Sequence, residues 1–303
     1  MIPRFPHMKS LLFPIVICCA LASCRQAPEP NAATTPADPD PAPEQVVSDS
    51  PDLTESVVRI NSTSQSWSAG QPWEKTPPQH LRSLGAIVAP GQVLTTGEMV
   101  ADATYLELES PDGSQTAQAE IVAVDYEANL ALLKVKSEEE SESFFAGTKP
   151  IALAEPPSIG DAMQMFQVED NGTTLLTAGT LQSVDVLSSF LPNQSFLTYR
   201  VKASMQGAAS SFSLPVVQGE SLAGILLSYD SDDQISDVLS VDVISHFLAN
   251  AKDGTYAGFP SLGVSISRTE DPSFRKFLKL TPGQGGLYIS TVRTGGAADL
   301  AGI

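Results

Sequence analysis

Twelve short apolar runs, rich in β-branched residues, fall into two groups along the chain, within residues 56–135 and 163–241. Turn residues separate neighbouring runs, and no helical period extends across most of either group. Two groups of about six strands predict an all-β domain made of two small barrels. Residues 242–251 instead carry apolar side chains at helical spacing and predict a closing helix of about three turns.

The N-terminus predicts a lipoprotein signal peptide over residues 1–23. The basic residues Arg4 and Lys9 precede LLFPIVICCALAS, which is short and early for a membrane-spanning helix and typical of a cleaved signal. The stretch ends in LASC, which resembles the bacterial lipobox. That resemblance implies cleavage before Cys24 and lipidation of its sulfur and new amino group, and an ordinary signal peptide followed by a chance cysteine is the alternative.

Residues 24–54 predict a disordered tether, because they are rich in proline, alanine and acids and have few large apolar side chains. The whole chain has 17 Lys+Arg against 35 Asp+Glu, a net charge of -18. This balance argues against nucleic acid and against an anionic membrane surface as electrostatic partners. All three cysteines lie at or before Cys24, which argues against a disulfide, a cysteine-based metal site and a cysteine nucleophile in the mature chain.

Three stretches carry a resemblance to a known family: SLGAIVAPGQVLTTGEMV, DYEANLALLKV, and IGDAMQMF with TAGTLQSV. In order and spacing they resemble the trypsin-like protease domain of the HtrA (Deg) family, over residues 55–252. The resemblance implies a chymotrypsin-like double β-barrel. It also implies a possible activity, since active members of the family are serine endopeptidases.

The catalytic residues of that family do not carry over. Glu98 stands where the family has its general-base histidine, and Asn129 stands where it has the orienting aspartate. Counting back from Pro215 places Phe212 at the nucleophile, with Ser211 as the nearest hydroxyl, and Ser213 and Leu214 in place of two glycines. We expect these replacements to remove the turn that presents oxyanion donors.

No histidine offers an obvious substitute base. His7 lies in the signal peptide, His80 is expected in a polar loop, and His246 falls on the closing helix. A carboxylate base at Glu98 would need a raised pKa and, for acid–acid hydrolysis, a second carboxylate opposite, which Asn129 does not supply. The sequence therefore favours Glu98 as a polar residue of a former active-site cleft, reached by water or satisfied by a neighbour such as Asn129.

Two acidic segments have simple structural interpretations. SEEESES (137–143) is expected to be a solvated loop between strands, and YDSDDQISD (229–237) a charged hairpin turn. The second segment lacks the glycine and glutamate of an EF-hand, having Ile235 and Val241 at those positions. We expect no metal site and no cofactor.

Residues 257–303 resemble the N-terminal part of an HtrA-type PDZ domain, through SLGV (261–264), GGLYISTV and GGAADLAGI. The resemblance implies capture of a peptide C-terminus by strand addition, with Leu262, Gly263 and Val264 as the candidate peptide contacts. The segments that complete such a groove in the family are not found before Ile303.

The sequence as a whole predicts a catalytically inactive, HtrA-like lipoprotein of the bacterial cell envelope, lipid-anchored and facing the periplasm. Its expected partners are unfolded or C-terminal peptides or envelope proteins, which it would bind or scaffold. Trimers are frequent in the family, so a homo-trimer is implied. Two alternatives stay open: an active serine endopeptidase with a rewired site, and a purely structural envelope lipoprotein.

Overall fold

The computed structural model describes residues 53–169, 171–188, 191, 195–205, 212–251 and 256–303. The signal peptide, Cys24, the tether up to residue 52, and Ser211 lie outside the described residues, so the expectations for them stay predictions. Among the described helices, none combines the length and the apolar character needed to cross a bilayer.

Six strands close the first barrel in the order β1-β2-β3-β6-β5-β4, all paired antiparallel. A short 3₁₀ turn, Gly97–Val100, follows the third strand. The strands are β1 (Val57–Ser64), β2 (Gln79–Ala89), β3 (Gln92–Thr95), β4 (Ala103–Glu109), β5 (Thr116–Asp125) and β6 (Leu130–Val135).

Helix α1 (Glu138–Phe144) leads to the second barrel, which closes in the order β10-β11-β12-β9-β8-β7. Helix α2 (Val241–Ala251) follows it, as the apolar spacing predicted. The two closed barrels confirm the all-β, chymotrypsin-like double-barrel fold class. The strands are β7 (Ala162–Val168), β8 (Thr174–Leu187), β9 (Phe196–Ala203), β10 (Leu214–Gln218), β11 (Ser221–Asp230) and β12 (Ile235–Ser240).

Strand β6 is buried on both faces, which explains why its sequence, LALLKV, is almost continuously apolar. Ala131, Leu133 and Val135 point into the core of the first barrel. Leu130 and Leu132 point the other way, into a larger core that also contains the second-barrel residues. A strand buried on both faces loses the alternation of a half-exposed strand, so the barrels pack through an apolar interface.

Two local expectations were wrong. The segment SEEESES forms most of α1, because the Ser137 hydroxyl accepts a hydrogen bond from the Glu140 amide (3.4 Å) and three glutamates in the first turn complement the helix dipole. His80 lies in β2, not in a loop, because this strand extends back to Gln79 by pairing with the end of β1. Within the acidic segment 229–237, residues 231–234 form the expected turn, and the residues on either side belong to the ends of β11 and β12.

The C-terminal part contains a two-stranded antiparallel sheet of β13 (Val264–Arg268) and β14 (Leu287–Val292). Helix α3 (Pro272–Phe277) connects them, and helix α4 (Ala297–Leu300) follows. The strands expected from SLGV and GGLYISTV are therefore present. Several large apolar side chains of this part are exposed, namely Leu262, Ile266, Phe277, Leu287, Leu300 and Ile303.

Strand β11 passes so close to β12 at Gly224 that no side chain fits. A Cβ there would lie 2.5 Å from the Leu239 carbonyl oxygen and 2.4 Å from a Val238 methyl. We expect Gly224→Ala to lower the free energy of unfolding by about 2–3 kcal/mol through overpacking, measured by urea denaturation. Gly70→Ala, where a Cβ meets no atom within 4 Å, is the control, and equal stability of the two variants would contradict this packing.

Candidate functional site

Glu98 lies in the 3₁₀ turn after β3 and is partly exposed between buried neighbours. Met99 and Val100 are fixed in the core of the first barrel, while Gly97 packs against the turn between β5 and β6. The apolar residues thus anchor the turn and leave the Glu98 carboxylate at the protein surface. The isolated acid that the sequence places after a buried strand therefore faces a cleft.

Asn129 is buried in the turn between β5 and β6 and has a left-handed backbone (φ 56°) that asparagine tolerates better than most residues. Its Oδ1 accepts a hydrogen bond from the Glu98 backbone N–H at 2.9 Å. The sequence therefore correctly brought Glu98 and Asn129 together. The contact, however, is to the Glu98 backbone, so the Asn129 carbonyl oxygen positions the 3₁₀ turn and does not satisfy the carboxylate.

A buried carboxylate holds the turn that carries Asn129, and sequence reasoning missed it. Asp125 Oδ1 accepts a hydrogen bond from the Ala128 backbone N–H (2.8 Å), and Oδ2 accepts one from the Tyr256 hydroxyl (2.5 Å). Burial, the hydrogen bond to Asp125 and its negative charge all raise the pKa of Tyr256. The phenol therefore stays protonated and donates to Asp125. In the sequence, the short D-Y-E-A-N segment was the available indication of this turn.

The described residues around the nucleophile position of the family are fixed against the first barrel. Phe212 packs against the core of the first barrel, and its carbonyl accepts a hydrogen bond from the Ser83 hydroxyl (2.9 Å). Ser213 is 1% exposed, and its Oγ lies 2.8 Å from Thr95 Oγ1 and 3.2 Å from the Thr96 amide that donates to it. Neither residue therefore presents a free hydroxyl to the cleft.

The backbone of Ser213 has an unusual conformation. It is left-handed (φ 55°), the region that a glycine would favour. The hydrogen bonds of its side chain offset the steric cost of the conformation. Its amide donates to the Leu226 carbonyl (2.6 Å), so this N–H is not available to an oxyanion.

Glu98 and Asn129 line a cleft of about 340 Å³ whose other described walls come from the second barrel. A second acid, Asp237, lies in the same cleft, and sequence reasoning missed it because only the register of β12 against β11 places it there. The remaining lining residues are Leu187, Ser188, Thr198, Leu227 and Ser228.

The two acids of the cleft differ in their surroundings. Burial raises the pKa of Glu98, because desolvation disfavours its charged form. Asp237 lies 3.4 Å from the guanidinium Nε of Arg200, and its other oxygen accepts a long hydrogen bond from the Ser228 hydroxyl (3.4 Å). The cleft is thus acidic. Of its two described carboxylates, Asp237 alone has its negative charge partly neutralised, by Arg200.

Neither histidine of the described residues lines this cleft. His80 Nδ1 lies 3.1 Å from Thr63 Oγ1 on the outer face of the first barrel, and the His246 ring packs 4.8 Å from that of Phe259. In the part of the chain that the structure describes, no group of three or more His, Cys, Asp or Glu side chains is arranged to hold a metal ion.

Leu262, Gly263 and Val264 lie in the loop before β13 and at its first residue. Gly263 has φ 70°, and its carbonyl accepts a hydrogen bond from the Arg293 amide (2.7 Å). The Leu262 carbonyl is held by the Ala298 amide (3.0 Å), while its side chain is 66% exposed. The loop is thus shaped by internal hydrogen bonds and presents an apolar side chain to solvent.

The chain is similar to plant proteases of the Do-like type. It is 28% identical over 277 residues to the mitochondrial protease Do-like 4 of Arabidopsis thaliana, covering 90% of this chain and 50% of that protein. It is 26% identical over 235 residues to the chloroplastic protease Do-like 2 of the same plant, covering 76% of this chain and 38% of that protein. The chain thus spans half or less of the length of these relatives. No family model matches it.

Solved structures share the fold. The HtrA-type protease AlgW with a decapeptide superposes with a TM-score of 0.58 at 16% identity, covering 82% of this chain and 79% of that one. The Rv3671c protease of M. tuberculosis, in its active form, gives a TM-score of 0.52 at 19% identity, covering 66% and 82%. The chain therefore has the trypsin-like serine protease fold of HtrA-type proteins.

The raised pKa of Glu98 predicts that its charge opposes folding. The ionised form is penalised above the folded-state pKa, and the penalty vanishes below the unfolded-state value, where both states are protonated. Glu98→Gln should therefore unfold at a higher temperature than wild type at pH 7. The gain should be less than about 1 kcal/mol, because solvent screens this partly exposed side chain, and should disappear toward pH 4.

Thermal melts monitored by circular dichroism across this pH range test the prediction. Glu220→Gln in the turn between β10 and β11 is the matched control, because it makes the same charge change at an exposed side chain. A Glu98→Gln variant less stable than wild type at pH 7 would mean that the carboxylate has a stabilising partner.

Proposed function

We propose that this chain is a catalytically inactive HtrA-like protein that binds peptides or protein partners, or acts as a scaffold, at the bacterial cell envelope. The observation that carries the proposal is the state of the three triad positions. The base position holds a carboxylate (Glu98), the orienting-acid position an amide whose oxygen accepts a backbone N–H (Asn129), and the nucleophile position counted from Pro215 a packed phenyl ring (Phe212).

Serine catalysis requires a hydroxyl within reach of a base whose own orientation is fixed. Asn129 Oδ1 accepts the Glu98 backbone N–H, and the side chain at the base position is itself a carboxylate instead of an imidazole. The Ser213 hydroxyl is buried and bonded to Thr95. Among the described residues, the cleft therefore offers no nucleophile–base pair of the serine protease kind, which supports a binding role.

Peptide binding is supported by the C-terminal sheet. In the described residues, β13 pairs only with β14, so its other edge has free backbone donors and acceptors. The exposed Leu262 side chain adjoins this edge. We propose that Leu262, Gly263 and Val264 contact an added strand. The HtrA-type protease AlgW has been solved together with a decapeptide, which supports a peptide as the ligand of a protein with this fold.

Membrane attachment through Cys24 is a further part of the proposal, with the tether of residues 24–54 joining the lipid to the barrels. The sequence LASC after a short apolar segment supports it. A second acyl chain would make the anchoring stable. The periplasm-facing location and the homo-trimer rest on the resemblance alone and stay predictions.

An active endopeptidase is the second candidate, and two observations favour it. Asp237 supplies the second carboxylate in the cleft that acid–acid hydrolysis requires. The names of the plant relatives also describe proteases. The two candidates differ in a single measurable property, peptide-bond cleavage.

We expect the purified full chain to leave unfolded casein intact and to remain unlabelled by a serine-directed fluorophosphonate. Glu98→His alone should not create activity, because base, orienting acid, nucleophile and oxyanion donors act as a unit and their effects are not additive. Casein degradation is followed by gel electrophoresis over hours, with an active trypsin-like protease as the positive control. Cleavage by wild type that is lost in Ser211→Ala would overturn the proposed inactivity, and loss in Asp237→Asn instead would indicate acid–acid hydrolysis.

The lipid anchor predicts that Cys24→Ala will be neither lipidated nor cleaved at residue 24. Wild-type protein expressed in a bacterium and labelled with an alkyne fatty acid should carry the label and partition into the detergent phase of a Triton X-114 extraction. Cys19→Ala is the matched control, because it removes a cysteine of the same apolar segment. Labelling of Cys24→Ala at the wild-type level would contradict the assignment.

A further inference from the structure

The carboxylate of Glu98 is uncompensated in the cleft. Within the described residues, neither of its oxygens has a hydrogen-bond or ion-pair partner, although its own backbone is held at both the N–H and the carbonyl. Burial raises its pKa, so its surroundings disfavour the charged form. A cation entering the cleft would reverse this effect and stabilise the carboxylate.

Asp237, in the same cleft, also has acceptor capacity left over. Its Oδ1 is buried and makes no hydrogen bond within the described residues, since the Arg200 Nε beside it is 3.4 Å away and is itself without one. The ion pair is therefore loose. Because Oδ1 is buried beside Arg200, a donor approaching from the cleft would meet Oδ2, which in the described residues accepts only the long hydrogen bond from the Ser228 hydroxyl (3.4 Å) and has acceptor capacity left.

The shape of the cleft suits a long side chain with a polar end. Its volume of about 340 Å³ is at the small end of ligand pockets and holds a side chain more readily than a drug-sized molecule. Leu187 and Leu227 offer apolar surface, while Ser188 and Thr198 add hydroxyls to the wall. Lysine and arginine combine an apolar stem with a cationic head in just this way.

Strand β11 could hold the backbone of such a ligand. Its pairing with β10 ends at Leu226, and in the described residues Ser228, Tyr229 and Asp230 pair with β12 alone. The edge beside the cleft can thus accept an extended peptide. The net charge of -18 adds a long-range attraction for cations.

We propose that the cleft between the barrels binds a lysine or arginine side chain of an extended peptide, with the cationic head between Glu98 and Asp237 and the stem against Leu187 and Leu227. The inference deepens the proposed function, on which it rests, by naming the class of ligand and a second site separate from the Leu262–Val264 loop. The cleft would then be a recognition site for positive charge.

The test uses acetylated, amidated pentapeptides that differ only at the central residue, which is lysine, arginine, norleucine or glutamate between alanines. Amidation removes the free carboxylate that the Leu262–Val264 loop is proposed to capture, so the two sites are measured separately. Binding to the purified full chain in a non-ionic detergent is followed by fluorescence anisotropy of labelled peptides. Mass spectrometry records whether each peptide stays intact.

We expect the lysine and arginine peptides to bind about tenfold more tightly than norleucine, and Glu98→Gln or Asp237→Asn to remove most of that difference. The preference should also weaken as salt is raised. Glu220→Gln and Asp232→Asn, which make the same charge changes on exposed turns, should bind as wild type does.

Three results would overturn the inference: equal affinities for lysine and norleucine, a preference that survives in both cleft variants, or no binding of any peptide at millimolar concentration. Selective cleavage of the lysine and arginine peptides would support the cleft assignment while contradicting the proposed inactivity. Failure of a free-carboxylate peptide to bind would count against the Leu262–Val264 loop only.

Discussion

The buried hydroxyl of Ser213 joins the two barrels, next to the turn that carries Glu98. Its Oγ lies 2.8 Å from Thr95 Oγ1 and accepts the Thr96 amide, while Ser83 donates to the carbonyls of Phe212 and Ser213 from the neighbouring strand. The left-handed backbone at Ser213 costs about 1–2 kcal/mol. Several buried hydrogen bonds of about 1 kcal/mol each offset that cost, which is why a serine holds a turn suited to glycine.

The same hydrogen bonds support the proposed inactivity of the cleft. In an acyl-transfer enzyme this segment must leave a hydroxyl and backbone amides free for the reacting carbonyl. Here the Ser213 hydroxyl and amide and the Phe212 carbonyl all have partners inside the protein. Glu98 is the opposite case, because its backbone is fixed and its carboxylate is left without a partner in the described residues. The polar groups of Phe212 and Ser213 are thus bonded inside the protein, whereas the Glu98 carboxylate faces the cleft.

The barrels could be predicted from sequence because their signal is local, whereas the features that shape the cleft are not local. Strand β6 was predicted to the residue, since both of its buried faces are encoded in LALLKV. His80 was misplaced because only pairing with β1 extends β2 that far, and Asp237 was overlooked because only strand register brings it to Glu98. The turn at Ser213 depends on hydroxyls from a different barrel. Helix α1 is a failure of a different kind, because the capping serine and the acidic first turn that indicate a helix are both present in the sequence where we expected a loop.

The Glu98 turn is held through a chain of contacts that ends in the segment leading to β13. Tyr256 donates to Asp125 and packs edge-on against Phe247 of α2, with ring centres 5.1 Å apart. Asp125 holds the turn of Asn129, and Asn129 holds the backbone of Glu98. Because the burial of Tyr256 and its hydrogen bond raise the pKa of the phenol, this contact persists across the physiological pH range. The acid that faces the cleft is therefore positioned by a residue of the C-terminal segment, so the geometry of the first barrel at this point depends on the chain that follows the second.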